Sequence, residues 1–433
     1  MATQPSRRHI ATLRGVGRMA ADATTGIADL AQALHARIAR GPVRLGGPVV
    51  AGAVNGITDL VYGSVRGATR AVGNGLDALL RQLEPLLEEL PDNGTGRAPL
   101  PAPNRTREAV LAALNGVLGD YLAQTGNPLA IPMSLRRQGV PLTLERDALR
   151  ARIEPVAPKV VVLLHGLCMN DLQWGQPDAD GPGHDHGAAL ERELGCTALY
   201  LHYNSGLHVS TNGRALAALL DSLVAAWPVE LGQIVLVAHS MGGLVARSAV
   251  HYGAQAGCAW LPRLRAMAFL GTPHHGAPLE RGGHWVDVLL RSTGYTAPFA
   301  RLGRIRSAGI TDLRHGSALD EDWQGHDRFA HGHDTRVPLP LPEQVPCYAI
   351  AATSASADDV AAASGGPTRC DDERLLQLPG DGLVPVASAL GFHPDPRFAL
   401  AFEPGRCWVA AGSGHLDLLR SAAVFERLRG WLA

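Results

Sequence analysis

Ser240 stands at the point where a strongly apolar stretch of the chain ends. In "IVLVAHSMGGLVAR" (residues 234–247), a β-branched run stops at His239-Ser240 and a second apolar run follows two glycines. A strand, a small-residue turn with serine and then a helix form a nucleophile elbow, whose strained turn lifts the hydroxyl clear of the sheet. Ala238 occupies the place of the first glycine in the usual G-x-S-x-G pattern. We predict that Ser240 is a nucleophile, because a mere helix cap would leave the glycines unexplained.

A serine hydroxyl attacks efficiently only when an imidazole accepts its proton and a carboxylate orients that imidazole. The chain supplies both after Ser240: Asp381 in the glycine-rich "LPGDGLVPVASA", just past a late strand position, and His415 in "WVAAGSGHLDLL", after the last predicted strand. Each residue alone is ordinary, since a Gly-Asp-Gly segment is often only a turn and a loop histidine is often only a surface residue. Their order and placement together predict a Ser240, Asp381, His415 triad.

The oxyanion formed by such an attack needs backbone N–H donors. The run "VVVLLHGLCMN" ends a strand at His165-Gly166, which makes the amide of Leu167 the first predicted donor. Met241, directly after the nucleophile, is the second. We interpret His165 as a structural hydrogen-bonding residue, because a third base would have nothing to do.

The elements that must position these residues are apolar strands alternating with helices from Lys159 onward. Continuous rather than alternating hydrophobicity is typical of strands covered on both faces, so the sequence predicts a largely parallel, doubly wound α/β sheet. Its ligands gather at the carboxyl ends of the strands. The six predicted strands are "KVVVLLHG", "ALYLHYN", "QIVLVAHS", "AMAFLGTP", "CYAIAAT" and "CWVAAGS".

The landmarks "HGL", "AHSMGGLVAR", "LGTPHHGAP", "GDGLVPVASA" and "GHLDLL" occur in an order that resembles the lipase and esterase branch of the α/β-hydrolases. The chain looks most like bacterial lipases and PGAP1-like inositol-deacylase domains, over about residues 159–433. The resemblance implies a fold of that class, the same triad and oxyanion amides, and a carboxylic ester substrate with a hydrophobic acyl chain. It also implies that residues 279–345, too long for a simple connection, form a helical cap insertion over the acyl pocket; a helix pair packed away from the site is the alternative.

The N-terminal part of the chain differs from the rest. Residues 1–90 show apolar positions at helical spacing, residues 91–104 have linker composition, and residues 105–433 are assigned to the hydrolase domain. A Thr-capped helix is predicted in "TREAVLAALNGVLGDYLA". The N-terminal helices leave two interpretations open: packing on the neighbouring domain or in a homodimer, and peripheral docking on a lipid or granule surface.

Composition narrows the class of partner. With 18% charged residues and a formal net charge of −1, the chain lacks the basic field of nucleic-acid-binding proteins. Its six cysteines are scattered, which favours reduced thiols, and no apolar run is long enough to span a bilayer, so we expect a cytoplasmic protein.

Two histidine-rich segments, "GHDHG" (183–187) and "HDRFAHGHD" (326–334), raise a metal site as an alternative. Asp417 resembles a calcium position of some bacterial lipases, with Asp358 or Asp359 as a partner. Polar loops bracketed by glycine are more often solvated, so no metal is assigned and the triad chemistry requires no cofactor.

The sequence therefore predicts a serine hydrolase that cleaves carboxylic esters through an acyl-enzyme. An acyltransferase with the same triad and a catalytically idle scaffold on a lipid or granule surface are the two alternatives.

Overall fold

The computed structural model describes residues 104–175, 183–277, 307–325, 334–364 and 372–433. The chain divides into two compact units, one of Met1–Ala98 with Gly126–Leu129 and one of Pro99–Thr125 with Ala130–Ala433. The predicted N-terminal helices, nearly all of the linker and the parts of the cap insertion at 279–306 and 326–333 lie outside the described residues. All elements below belong to the second unit.

An eight-stranded sheet of order β2-β1-β4-β3-β5-β6-β7-β8 forms the centre of this unit. β1 pairs antiparallel with β2 and β4, whereas β4, β3, β5, β6, β7 and β8 run parallel. This confirms the predicted mostly parallel sheet. The strands are β1 Ser134–Arg137, β2 Val140–Pro141, β3 Lys159–Leu164, β4 Thr197–His202, β5 Gln233–His239, β6 Leu264–Leu270, β7 Cys347–Ala352 and β8 Cys407–Ala410.

Helices lie between the strands, as expected of a doubly wound fold. The α-helices of the described residues are α1 Arg105–Gln124, α2 Arg146–Arg152, α3 His186–Leu194, α4 Val209–Ala226, α5 Met241–Ala256, α6 Ala308–Asp312, α7 Ala357–Ser364, α8 Glu373–Leu376, α9 Val386–Ala389 and α10 Ala422–Leu432. Short 3₁₀ turns occupy Asp171–Gly175, Leu261–Arg263, Asp320–Asp322 and Asp417–Leu419.

The central strands are apolar at successive positions because both faces of the sheet are covered. Val161, Val235 and Ile350 share one buried cluster with Trp174 and with Phe425 of α10. The intervening strand residues, among them Val160, Val162, Ile234 and Leu236, are equally inaccessible to solvent. Burial on two sides is what removes the alternating pattern from a strand sequence.

The N-cap of the first described helix lies two residues before the predicted one. Asn104, not Thr106, caps α1: its side chain accepts a hydrogen bond from the amide of Arg107 at 3.1 Å. Thr106 lies within the helix. Asparagine is among the best N-cap residues, so the cap was misassigned by two positions within a segment whose helical character is confirmed.

The cysteines depart from the predicted uniform state. Cys168, Cys196, Cys258 and Cys347 are free, whereas Cys407 on β8 is disulfide-bonded. The expectation of reduced thiols is therefore wrong at Cys407. Disulfides are uncommon in reducing compartments, so this bond counts against the predicted cytoplasmic location, which stays a prediction.

No helix within the described ranges combines the length and apolar character that crossing a membrane requires.

Candidate active site

Ser240 occupies a strained turn between β5 and α5. Its backbone has φ 55° and ψ −127°, and residues other than glycine rarely adopt such a positive φ. Its N–H donates to the carbonyl of Leu270, at the end of β6, at 2.8 Å. The hydroxyl Oγ is buried and has no hydrogen-bond partner among the residues that the structure describes. This backbone is the elbow that the sequence predicts at this position.

The two glycines after Met241 allow α5 to begin directly against neighbouring backbone. A Cβ on Gly242 would lie 2.7 Å from the carbonyl oxygens of both Leu164 and His165, and one on Gly243 would lie 2.0 Å from Oγ1 of Thr272. Real Cβ atoms do not approach other atoms so closely. Glycine is therefore required at both positions because neighbouring atoms approach so closely. The backbone itself is ordinary helix there.

Asp381 and His415 form a buried pair at the same edge of the sheet. Nδ1 of His415 lies 2.7 Å from Oδ2 of Asp381. The other carboxylate oxygen accepts hydrogen bonds from the amides of Leu383 at 2.9 Å and Val384 at 2.7 Å. A carboxylate beside Nδ1 fixes the tautomer with the proton on Nδ1, so Nε2 is the basic nitrogen of His415.

The turn that holds Asp381 differs from its prediction in one respect. It follows helix α8 rather than a strand, since β7 already ends at Ala352. His415 does follow the last strand, β8, as predicted. Thr353, directly after β7, connects this strand to the turn that holds Asp381, because its hydroxyl donates to the carbonyl of Pro379 at 2.6 Å.

The predicted nucleophile and the Asp381–His415 pair share their neighbours. The ring of His239, the residue before Ser240, has its centroid 4.6 Å from that of His415, and its Nε2 lies 3.1 Å from the His415 carbonyl oxygen. A Cβ on Gly271, which follows the Leu270 carbonyl that binds Ser240, would lie 3.2 Å from the His415 ring. The fold thus brings the three predicted residues to one place.

The predicted oxyanion residues lie beside Ser240. Met241 is the first residue of α5, and a Cβ on Gly166, just before Leu167, would lie 2.9 Å from Cβ of Ser240. Their function as N–H donors stays a prediction.

Cys168 shapes the loop that carries Leu167. It has a positive φ of 59°, and its amide donates to Oγ of Ser205 at 3.0 Å. Sequence reasoning missed Ser205; its position in "YNSG", directly after a predicted strand, was the available signal.

His165 has the structural role that its position suggested. Its ring is fully buried, stacks on Tyr203 with centroids 4.3 Å apart, and places Nδ1 2.8 Å from the Gly166 carbonyl. The hydroxyl of Tyr203 donates to the His165 carbonyl at 2.8 Å. Burial, helped by nearby His202, lowers the pKa of His165 to about 3, so the ring is neutral and holds the end of β3.

The segment around α6, which belongs to the predicted cap insertion, packs close to the residue that follows Ser240. A Cβ on Gly309 of α6 would lie 2.8 Å from Cε of Met241. The Asp312 carboxylate accepts from the amide of Val209 at 2.8 Å and lies 3.0 Å from Nδ1 of His208, whose ring stacks on Trp323 at 3.8 Å. This segment is therefore anchored to the N-terminal end of α4, beside the elbow.

The histidine-rich segment "GHDHG" forms internal hydrogen bonds. Nε2 of His184 lies 2.8 Å from Nδ1 of His186, whose Nε2 lies 2.8 Å from the Leu418 carbonyl oxygen. Asp417 accepts from the Gly414 amide at 2.9 Å and pairs with Arg420, whereas Asp359 accepts from Ser356. Among the residues that the structure describes, no cluster of three such side chains fits a metal ion.

A cleft of about 590 Å³ opens beside the carboxylate. Its lining is largely backbone of glycine-rich turns and consists of Ser354, residues 379–385 and residues 412–414. Ser240, by contrast, is 1% exposed and His415 3%. Both side chains are therefore closed to solvent in this structure.

The central part of the chain is similar to a known family of domains. The model of the PGAP1-like alpha/beta domain matches residues 156–358. This confirms the resemblance to the α/β-hydrolases. The matched range contains Ser240, Leu167 and Met241, while Asp381 and His415 follow it.

Solved structures similar to the chain include two lipases and the protein EstA. The mature lipase BlEst2 of Bacillus licheniformis is 16% identical, with 70% of this chain and 98% of that one covered and a TM-score of 0.40. Lipase B of Aspergillus fumigatus is 11% identical, with 66% and 57% covered and a TM-score of 0.36. EstA of Clostridium botulinum is 12% identical, with 64% and 87% covered and a TM-score of 0.36. The search of curated proteins gave no match.

Proposed function

We propose that this protein is a serine hydrolase that cleaves carboxylic esters, with Ser240 as nucleophile, His415 as base and Asp381 as the carboxylate that orients it. The main support is the contact of His239, the neighbour of Ser240, with the carbonyl of His415, whose ring is held by Asp381 at 2.7 Å. His415 is thus held at two points, by His239 through its backbone carbonyl and by Asp381 through its ring. A helix-capping serine would have no need of this arrangement.

The reaction proceeds in two halves. Oγ of Ser240 attacks the ester carbonyl while Nε2 of His415 accepts the hydroxyl proton, and the amides of Leu167 and Met241 stabilise the oxyanion. The imidazolium then protonates the leaving alcohol, and the acyl-enzyme remains. A water molecule, deprotonated by His415, attacks the acyl carbon and releases the acid with the hydroxyl of Ser240 restored.

The proposed substrate carries a hydrophobic acyl chain. Apolar side chains surround the elbow: Leu167 and Met241 are buried beside it, and a Cβ on Gly166 would lie 3.2 Å from Sδ of Met169. The buried Ser240 hydroxyl also places the chemistry in an environment of low dielectric constant, where oxyanion stabilisation by preorganised amides is strongest.

A fluorophosphonate probe tests the proposal, because it reacts only with an activated serine. The wild type is expected to form a covalent adduct that Ser240→Ala abolishes, while the exposed serine variant Ser222→Ala labels normally. A folded wild type with no adduct, or with an adduct that survives Ser240→Ala, would overturn the assignment.

Product analysis separates hydrolysis from acyl transfer. With p-nitrophenyl esters of increasing chain length and a competing alcohol, hydrolysis yields the free acid, and rates are expected to rise with acyl length. A transesterified product as the main species would instead assign the chain to the acyltransferases.

A further inference from the structure

The turn after His415 is tied to the core by its own side chain. Leu418, three residues after His415 and in the 3₁₀ turn Asp417–Leu419, is fully buried. A Cβ on Gly271 would lie 2.8 Å from Cδ1 of Leu418 and 3.2 Å from the imidazole of His415. Leu418 and His415 therefore pack against the same backbone position, so a displacement of one is transmitted to the other.

His186, at the start of α3, binds this turn. Its Nε2 lies 2.8 Å from the carbonyl oxygen of Leu418, and its ring is inaccessible to solvent. A carbonyl only accepts hydrogen bonds, so Nε2 carries the proton of this imidazole. Burial lowers the pKa of His186 to about 4, which keeps the ring neutral at ordinary pH.

The second nitrogen of His186 is also in use. Since Nε2 holds the proton, Nδ1 is an acceptor, and Nε2 of His184 donates to it across 2.8 Å. The ring of His186 is further packed against Phe425, nearly parallel with centroids 6.3 Å apart, and edge-on to Trp174 at 6.2 Å. Both the tautomer and the ring plane of His186 are therefore fixed by its surroundings.

A second imidazole holds the same segment from the elbow side. Nε2 of His239 lies 3.1 Å from the carbonyl oxygen of His415, and its ring lies edge-on to Trp174 at 6.4 Å. Trp174 thus contacts both imidazoles. The segment from His415 to Leu418 receives one side-chain hydrogen bond at each end, from two different elements of the fold.

We propose that His186 is a positioning residue: its hydrogen bond to the Leu418 carbonyl holds the His415 side chain in position relative to Asp381 and Ser240. This role rests on the proposed function. It gives the "GHDHG" segment a purpose: His184 orients the ring of His186, His186 holds the turn, and Asp185 caps α3 by accepting from the Ala188 amide at 3.0 Å.

Two substitutions of His186 test the role by a comparison of kcat with KM. His186→Leu fills the space without a donor, and a short-chain ester is expected to show kcat reduced at least tenfold with KM within twofold of wild type. His186→Gln restores an N–H near the position of Nε2 and is expected to return kcat to within about threefold.

A matched control lies just before β3, at the opposite end of the parallel strands from His415. Nε1 of the buried Trp227 donates to the carbonyl of Ala157 at 2.9 Å, so Trp227→Phe also removes a ring N–H bond to backbone. Trp227→Phe should lose stability without losing kcat. If both His186→Leu and Trp227→Phe lower activity only in proportion to their unfolded fraction, the role of His186 is structural and the proposal is wrong.

Amide hydrogen exchange gives a readout that does not depend on turnover. The peptide spanning residues 412–420 is expected to exchange faster in His186→Leu, and at the wild-type rate in His186→Gln and Trp227→Phe. If His186→Leu does not fold, His184→Leu replaces it, with faster exchange in the same peptide and a severalfold loss of kcat expected. Full kcat and unchanged exchange in the folded variant would overturn the proposal.

The two hypotheses fail in different ways. A wild type without Ser240-dependent labelling overturns the proposed function, whatever the exchange data show. Normal labelling in the wild type together with full kcat in His186→Leu overturns only the positioning role.

Discussion

Asp381 and His415 make a 2.7 Å contact between Oδ2 and Nδ1, and both side chains are almost fully buried. The opposite carboxylate oxygen is already occupied by the amides of Leu383 and Val384. Oδ2 is thus directed at the imidazole. This geometry fixes which nitrogen of His415 bears the proton, and it makes a substitution of the carboxylate informative.

Asp381→Asn should lower kcat by about three to four orders of magnitude while the fold is kept. The amide can present an N–H to Nδ1, which reverses the tautomer and leaves Nε2 protonated, as an analogous change does in chymotrypsin-like enzymes. Steady-state hydrolysis of a short-chain ester measures the loss. Asp395→Asn, at an exposed carboxylate paired with Arg397, is the control and should keep full activity. An Asp381→Asn variant with more than a tenth of wild-type kcat would contradict the assignment.

Gly242→Ala should damage both stability and activity. The new methyl group would meet two backbone carbonyl oxygens at 2.7 Å, and backbone cannot move aside as a flexible side chain can. Overpacking of this kind typically costs about 1–3 kcal/mol, and here it displaces the turn that carries Ser240. Urea unfolding and kcat are the measurements.

The control for this change is Gly430→Ala, in helix α10. An added Cβ there meets open space, so alanine is expected to stabilise the helix by up to about 1 kcal/mol and leave kcat unchanged. Equal effects of the two substitutions would show that the close approach at Gly242 is not what matters.

The sheet and the turn at Ser240 could be predicted from the sequence because each is encoded locally. Six apolar runs predicted six parallel strands, and the strand-to-helix change around Ser240 predicted its turn. The pairing of Asp381 with His415 was predicted from order alone, since their contact joins residues 34 positions apart.

The roles of His186 and Ser205 could not be predicted, because their hydrogen-bond partners are distant in the sequence. His186 binds a carbonyl 232 positions away, so "GHDHG" looked like a solvated loop or a metal site. Ser205 binds Cys168 across 37 positions. The disulfide at Cys407 was missed because scattered cysteines carry no spacing signal.

Stability should fall as the pH is lowered below about 6.5. Burial holds the pKa of His165 at about 3 and that of His186 at about 4, both below the ordinary value of 6.5. Above pH 6.5 these rings are neutral in both states; below it, only the unfolded chain binds the protons. Each of these two histidines therefore lowers the free energy of unfolding by up to about 1.4 kcal/mol per pH unit as the pH falls toward its pKa in the folded protein.

Urea unfolding between pH 7.5 and pH 4.5 measures this dependence. His186→Gln removes one of the two groups, so its unfolding free energy should depend less steeply on pH than that of the wild type. Parallel curves for the two proteins would show that His186 is not buried as a neutral ring.

Arg136→Met should lower the free energy of unfolding of the protein by about 3 kcal/mol or more. Arg136 of β1 pairs with Glu108 at 2.8 Å and with Asp171 at 3.2 Å, and the Asp171 side chain is only 1% exposed. Removal of Arg136 takes the guanidinium charge away from a buried carboxylate that keeps the imidazole of His202 at 3.2 Å, and loss of one partner is more costly than replacement of the whole pair. Urea unfolding of the single variants Arg136→Met and Asp171→Asn and of the double variant Arg136→Met/Asp171→Asn separates these effects. The double variant should recover a substantial part of the loss; a double variant as unstable as the sum of the two single changes would show that the charges are not coupled.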